Sequence, residues 1–268
     1  MKSILVYTVH KAASMFLHRL NVRAAREYAI DYHSINFRRD MKSIRSTSWR
    51  DFISSEGRRG CFGPIRAGAS EPIFPADVSA YRVILHLRDP RDALTSLFYS
   101  AVYSHPRIAG VFDPRDGDRA AWKRAGIDAF VLARAGQVLQ RYESLCDRLL
   151  GRENVQLVTY ERLVTDFPAW LSRYLSAFDH LQPRPRGLLG LVPRASSHGR
   201  IEQRLRRRFG HEFETCAENF RSHKRQVTPG DHRRKLEPAT IAKLDRVFDE
   251  ILRRLDYRGE EAGAPGDS

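Results

Sequence analysis

Along this chain, short apolar runs alternate with segments whose apolar residues recur every three or four positions. Ser3–Thr8 (SILVYT) is a nearly continuous apolar run with β-branched and aromatic residues, which predicts a buried parallel strand. Phe16, Leu17, Leu20 and Ala24 then follow at helical spacing. A helix is therefore predicted from Ser14, a residue suited to an N-cap or a first turn. Tyr28–Ile35 reads as a second short strand, and Gly60–Phe62 as another inside the weakly patterned stretch Arg38–Ser79. Tyr81–Leu87 (YRVILHL) is the strongest strand signal. Asp89 and Pro90 mark the start of a helix that runs to about Tyr103. Val138, Tyr142, Leu145 and Leu149 predict a long helix over Ile127–Leu150, stopped by Gly151. Val155–Thr159 is a further strand, followed by helices over Ala169–Phe178, Ile201–Arg208 and Glu237–Leu255. The tail GEEAGAPGDS, residues 259–268, is expected to be disordered.

Strands alternating with helices predict right-handed βαβ units. The expected fold is a single α/β domain over residues 1–258, with a central, mostly parallel sheet flanked by helices. Ligands of such sheets bind beyond the carboxyl ends of the strands. The segments to examine are therefore Val9–Ser14, Leu87–Asp92 and Tyr160–Leu163.

Composition narrows the class. The 268 residues contain no run of about 18 apolar positions, so no membrane span is expected. The N-terminus MKSILVYTVHK is too short and polar for a signal peptide. Cys61, Cys146 and Cys216 are few and far apart, which predicts a reducing compartment, the cytoplasm. Lys and Arg number 46 against 32 Asp and Glu, a net charge of +14 that points to anionic partners. Arg184–Lys235 alone holds 14 Lys/Arg against 5 Asp/Glu. This stretch is either a solvated basic face or a wall around an anionic ligand. No Tyr or Trp interleaves Arg184–Arg208, which argues against a stacking platform for nucleic acid.

Two segments carry phosphate chemistry. Thr8–Leu17 (TVHKAASMFL) ends a strand, passes through small residues with one lysine and opens a helix. Backbone N–H groups at such a helix start, together with Lys11, make an anion site. The segment has the logic of a P-loop but lacks its GxxxxGK[ST] sequence. Leu87–Ser100 (LRDPRDALTSLFYS) places Arg88 at a strand end and Ser96 eight residues on, an arginine fork plus hydroxyl for a phosphate dianion. Alternatively, Arg88 pairs with Asp92 near the helix start.

Together these segments resemble the sulfotransferases that use 3′-phosphoadenosine 5′-phosphosulfate (PAPS). The family's 5′-phosphosulfate loop reads roughly P-K-S-G-T-T-W; here it is matched by His10, Lys11, Ala12, Ala13, Ser14, Met15 and Phe16. Lysine, the small pair and one hydroxyl are kept, whereas the Pro, the Gly and the second hydroxyl are not. The 3′-phosphate motif, roughly R-N-P-x-D-x-x-x-S-x-Y/F, is matched in register by Arg88, Pro90, Asp92, Ser96 and Phe98, with Asp89 in place of Asn. Tyr160–Leu163 (YERL) resembles a Y-E-D-L whose Tyr lies near the adenosine. Arg225–Leu236 resembles the C-terminal R-K-G-x-x-G-D-W loop through Arg225, Gly230 and Asp231, while its Trp is not kept.

The resemblance implies a PAPS-dependent sulfotransferase that needs no metal. Lys11, Ala12, Ala13, Ser14 and Met15 would hold the phosphosulfate, and Arg88, Ser96 and Arg225 the 3′-phosphate. Tyr160 would lie near the adenosine, and Lys11 would also be catalytic. The implied acceptor is a hydroxyl or amine on a carbohydrate or small metabolite. For the general base, His33, Glu71 and Asp31 are the candidates, with His10 and His105 behind them. The family's K-T-H region corresponds to GCFGPIR, Gly60–Arg66, which contains no histidine. Two other readings share these features: a P-loop-like small-molecule kinase and a non-enzymatic module that binds anionic polymers.

Overall fold

A computed structural model describes residues 2–34, 60–66, 74–104, 119–181, 198–213 and 228–258. Five parallel strands form one sheet: β1 (Ile4–Thr8), β2 (Asp31–His33), β3 (Gly60–Arg66), β4 (Arg82–Leu87) and β5 (Val155–Thr159), in the order β2-β3-β1-β4-β5. The fold class is α/β, with this central parallel sheet flanked by helices. Described residues divide into two compact units, residues 1–87 with 147–214, and residues 88–146 with 215–268.

The first unit contains the whole sheet. Every residue of β1 is buried, because strands line both of its edges and helices cover its faces. The register of β1 against β3 shifts between Leu5 and Tyr7. Gly63 and Pro64 account for it. Proline has no N–H for the ladder, and a Cβ on Gly63 (φ 138°) would come within 2.6 Å of the Val6 carbonyl oxygen. Helix α1 (Ser14–Tyr28) lays Phe16, Leu17, Leu20 and Ala24 inward, as their spacing predicts. It ends at Tyr28, the first residue of the expected second strand. Ala29 takes the left-handed conformation (φ 52°, ψ 47°), and its N–H returns to the carbonyls of Ala25 and Arg26. Only Asp31–His33 then remains as strand.

In the second unit, α2 (Pro90–Tyr99) starts as its sequence signals. The Asp89 side chain accepts from the Arg91 N–H, and Pro90 occupies the first turn. A π-helical turn, Ser100–Ser104, follows. Helix α3 (Arg119–Leu149) starts earlier than its periodicity indicated and is kinked at Gly126, where φ is 84°. Its last three residues belong to the first unit.

Back in the first unit, α4 (Tyr160–Thr165) directly follows β5. Helix α5 (Phe167–Leu175) is capped by Asp166 and starts two residues before the expected Ala169. Helix α6 (His198–Phe209) packs on α1, where the buried Glu27 takes Arg23 at 2.7 Å and Arg204 at 2.8 Å. Around Phe16 stand Phe167, Trp170, Phe209 and Phe213, with ring centroids within 6.2 Å of it.

The second unit closes with α7 (Asp231–Lys235), α8 (Pro238–Val247) and α9 (Asp249–Arg254). The sequence predicts one helix over Glu237–Leu255. The chain instead bends at Phe248 (φ −97°, ψ 9°), a fully buried ring. Among the described residues no helix is long and apolar enough to cross a membrane.

Candidate functional site

In the first unit, the carboxyl end of β1 leads into the Val9–Ala13 loop and the start of α1. This loop is strained. Lys11 has φ 67° and Ala13 has φ 56°, ψ 33°, both left-handed and neither glycine. Each such residue costs on the order of 1–3 kcal/mol and persists only where its surroundings impose it. Ala12 between them is fully buried and fixes the loop against the core. Ala13 is the N-cap and offers no side-chain hydrogen bond, so Ser14 is a first-turn residue and not the cap. The first N–H groups of α1 have no intrahelical acceptors and make a ready anion site. Ser14 is half-buried, and the Met15 side chain is 57% exposed.

Other groups lie at the same carboxyl edge of the sheet. Arg66 ends β3 and is the register partner of Thr8, the last residue of β1. Burial lowers its guanidinium from the ordinary value. The sequence reading passed over Arg66 because it looked in this strand for a histidine. His33 ends β2 two strands from β1, about 10 Å at ordinary strand spacing. Its ring stacks on Phe62 with centroids 4.8 Å apart. Asp31 lies at the opposite end of β2 and is exposed. Tyr160, the first residue of α4 at the end of β5, is buried.

A groove of about 440 Å³ runs along α1, starting one turn beyond the loop. It is lined by His18, Arg19, Arg23, Arg26 and Arg208, with Glu212 as the acidic wall. Arg19 pairs with Glu212 at 2.7 Å.

In the second unit, Arg88 is 3% exposed, and its carbonyl accepts from the Tyr142 hydroxyl at 2.7 Å. Its guanidinium Nη2 is 3.7 Å from Asp92 Oδ2, so the alternative pairing is partly realised. The Asp92 carboxylate is fully buried and accepts three N–H bonds from the C-terminal segment. Gly230 N donates to Oδ2 at 2.8 Å; His232 N and His232 Nδ1 donate to Oδ1 at 2.9 and 2.6 Å. Burial alone would raise the Asp92 carboxyl's pKa, but the His232 hydrogen bond and the Arg88 charge outweigh it. The carboxyl is held well below the usual range. Ser96, half-buried, shares the helix face of Asp92 one turn on. Arg91 is buried between Asp89 (2.8 Å) and Asp245 (2.7 Å). The sequence singles out Asp92 as a motif match and as the alternative partner of Arg88, but not His232. The signal for His232 was the GDH tripeptide, Gly230–His232, where the resembled loop reads GDW.

Glu71, Arg225 and His105 lie outside the described residues, as does the tail. Among the described residues no group of three or more His, Cys, Asp or Glu could hold a metal ion.

The fold is that of the sulfotransferases. The solved mouse sulfotransferase SULT7A1, complexed with PAP, matches over 98% of this chain and 89% of its own, with a TM-score of 0.56 and 16% identity. A retinol dehydratase in complex with androsterone and the inactive cofactor PAP matches over 93% of this chain and 80% of its own, with a TM-score of 0.49 and 10% identity. No family model matches the sequence, and no curated protein matches it.

Proposed function

We propose that the protein is a PAPS-dependent sulfotransferase. The observation that carries this reading is the strained loop after β1. Left-handed Lys11 and Ala13 present an uncapped helix start at the carboxyl edge of a sheet with the sulfotransferase fold. These features suit an anionic group at the Lys11 ammonium and the first-turn N–H groups of α1. The residues Lys11, Ala12, Ala13, Ser14 and Met15 would take the phosphosulfate end. Arg88, Ser96 and Arg225 would take the 3′-phosphate, and Tyr160 would lie near the adenosine.

When bound, PAPS supplies the sulfuryl group, whose bond to the bridging phosphate oxygen breaks as an acceptor oxygen or nitrogen bonds to sulfur. Lys11 neutralises the charge that grows on the bridging oxygen, the main electrostatic requirement of such a transfer. Positioning supplies much of the remaining barrier reduction. His33 is the general base that removes the acceptor's proton, with Glu71 as the alternative. His33's place at the carboxyl edge supports this assignment.

The acceptor is a carbohydrate or small metabolite. The arginine-lined groove along α1 supports an acidic glycan, whose charges would meet Arg23, Arg26 and Arg208. The buried thiol of Cys61 supports a reducing compartment, the cytoplasm.

The test has two parts. Thermal shifts with adenosine 3′,5′-bisphosphate (PAP), ATP with Mg²⁺ and a DNA duplex separate the sulfotransferase from the kinase and polymer-binding readings. Transfer of labelled sulfate from PAPS to a panel of glycans and small alcohols and amines then reads the activity. Stabilisation by ATP with Mg²⁺ and not by PAP would overturn the proposal.

A further inference from the structure

Part of the basic stretch Arg184–Lys235 enters the first unit as α6, which runs antiparallel to α1. His198 meets Tyr28 at one end, and Phe209 meets Phe16 at the other. Ile201, Leu205 and Phe209 are the buried face of α6, and every arginine of the helix is exposed. Together α1, α6 and the turn Gly210–Phe213 hold eight Arg against three Glu, with no Lys or Asp. Each glutamate has an arginine beside it: Glu27 takes Arg23 and Arg204, Glu202 takes Arg206, and Glu212 takes Arg19. The arginine surplus leaves a positive field that this pairing does not cancel. Arg19, Arg23 and Arg26 line the groove from α1 at spacings of four and three. They form one row, about 10 Å long at the helical rise per residue. Arg208 lines the same groove from α6.

We infer that this groove docks an acidic polysaccharide and holds the polymer beyond the sugar that accepts the sulfuryl group; the inference rests on the sulfotransferase reading in that the docked chain is the acceptor. Cations repeated along a line fit a partner whose charges repeat along a line, and the row is longer than one sugar ring. The groove starts one turn beyond the Val9–Ala13 loop, so a chain lying in it reaches the carboxyl edge of the sheet. The class of polymer follows from what the groove lacks. Its one aromatic ring, Phe209, is 4% exposed and packs edge to face with Phe16, so it offers no surface to nucleic-acid bases. The apolar face of α6 is buried in the core, which leaves none to enter a lipid surface. An acidic polysaccharide needs neither, because its charges alone can engage the row. The Arg19–Glu212 pair does not bar it. Arg19 is 49% exposed, and such a surface pair contributes little and yields readily to an incoming anion.

The experiment reads binding to the full chain by fluorescence anisotropy. The probes are end-labelled oligogalacturonates, which carry one carboxylate per sugar. The octasaccharide should bind about tenfold more tightly than the disaccharide, as further carboxylates engage further arginines. Added salt should weaken it, and a neutral maltooctaose should not bind. The triple variant Arg19→Gln/Arg26→Gln/Arg208→Gln should erase the tenfold advantage. All three side chains are exposed, so the core is untouched. If the triple variant melts without cooperativity, Arg208→Gln alone decides. It leaves the Arg19–Glu212 pair intact and should reduce the advantage about threefold. With an acceptor that proves active, KM should fall with chain length at constant kcat in the unsubstituted protein, and should not fall in the triple variant.

Equal affinity for the two lengths, an advantage kept in the triple variant, or tighter binding of an oligothymidylate of equal charge that the triple variant loses would overturn the proposal. So would an active acceptor whose KM does not change with length. Each of these outcomes leaves the sulfotransferase reading standing. That reading falls, and the acceptor role of the docked chain with it, if PAP fails to stabilise the unsubstituted protein against melting.

Discussion

The imidazole of His86 meets the indole of Trp170 edge to face, with ring centroids 5.5 Å apart. His86 lies on β4 and is fully buried. Both its nitrogens are buried without a hydrogen bond among the described residues. Desolvation lowers its pKa to about 3. The unfolded chain, with an ordinary histidine near 6.5, therefore binds more protons than the folded one between about pH 6.5 and 3. Stability rises with pH across that window and is lost as the pH falls below 6.5. His86 alone should cost about 2 kcal/mol between pH 7.5 and 5. Urea unfolding at both pH values measures it. His86→Leu should show that much less pH dependence, and equal pH dependence in the two proteins would refute the assignment.

Lys11 should act on turnover. Lys11→Ala should lower kcat by about 10²–10³, roughly 3–4 kcal/mol of transition-state stabilisation. Lys11→Arg should also be poor, because a planar fork does not reproduce a compact ammonium aimed at one oxygen. Single-turnover transfer of labelled sulfate, set against PAPS affinity, separates this role from simple binding. Turnover near that of the unsubstituted protein in Lys11→Ala would end the mechanism.

Arg66, beside Thr8 at the end of β3, should supply a second cation to the same edge of the sheet. Arg66→Ala is expected to lower kcat/KM for PAPS about tenfold, or about 1.4 kcal/mol. Steady-state kinetics with an active acceptor decides it. A kcat/KM within twofold of the unsubstituted value would remove Arg66 from the site.

Ala29 offers a stability test outside the site. It is exposed and left-handed at the C-terminus of α1. Ala29→Gly should relieve strain and raise stability by about 1 kcal/mol, less the extra entropy glycine gives the unfolded chain. Thermal melting should show a small rise in Tm, and a fall would mean that the alanine methyl contributes packing the backbone does not suggest.

What the sequence determined by itself was local. SILVYT, YRVILHL and VQLVT each carry enough apolar density to be strands wherever they lie. Asp89–Pro90 and Gly151 punctuate helices through backbone chemistry that needs no partner. The phosphate loop was legible as a strand, a lysine, two alanines and a hydroxyl, because an anion site needs those groups close together along the chain. Its backbone strain was not legible. Left-handed turns usually announce themselves with glycine, and Lys11 and Ala13 are held there by the buried surroundings of Ala12. The tertiary structure also decided where α1 gives way to β2, since the turn at Ala29 overrides the strand preference of Tyr28 and Ile30. It broke the last helix at Phe248, whose ring is buried completely. Above all it decided the partner of Asp92. Periodicity shows which face of a helix is apolar, but not which distant N–H groups will reach a carboxylate on it. His232, far along the chain, reaches it only when the second unit is packed.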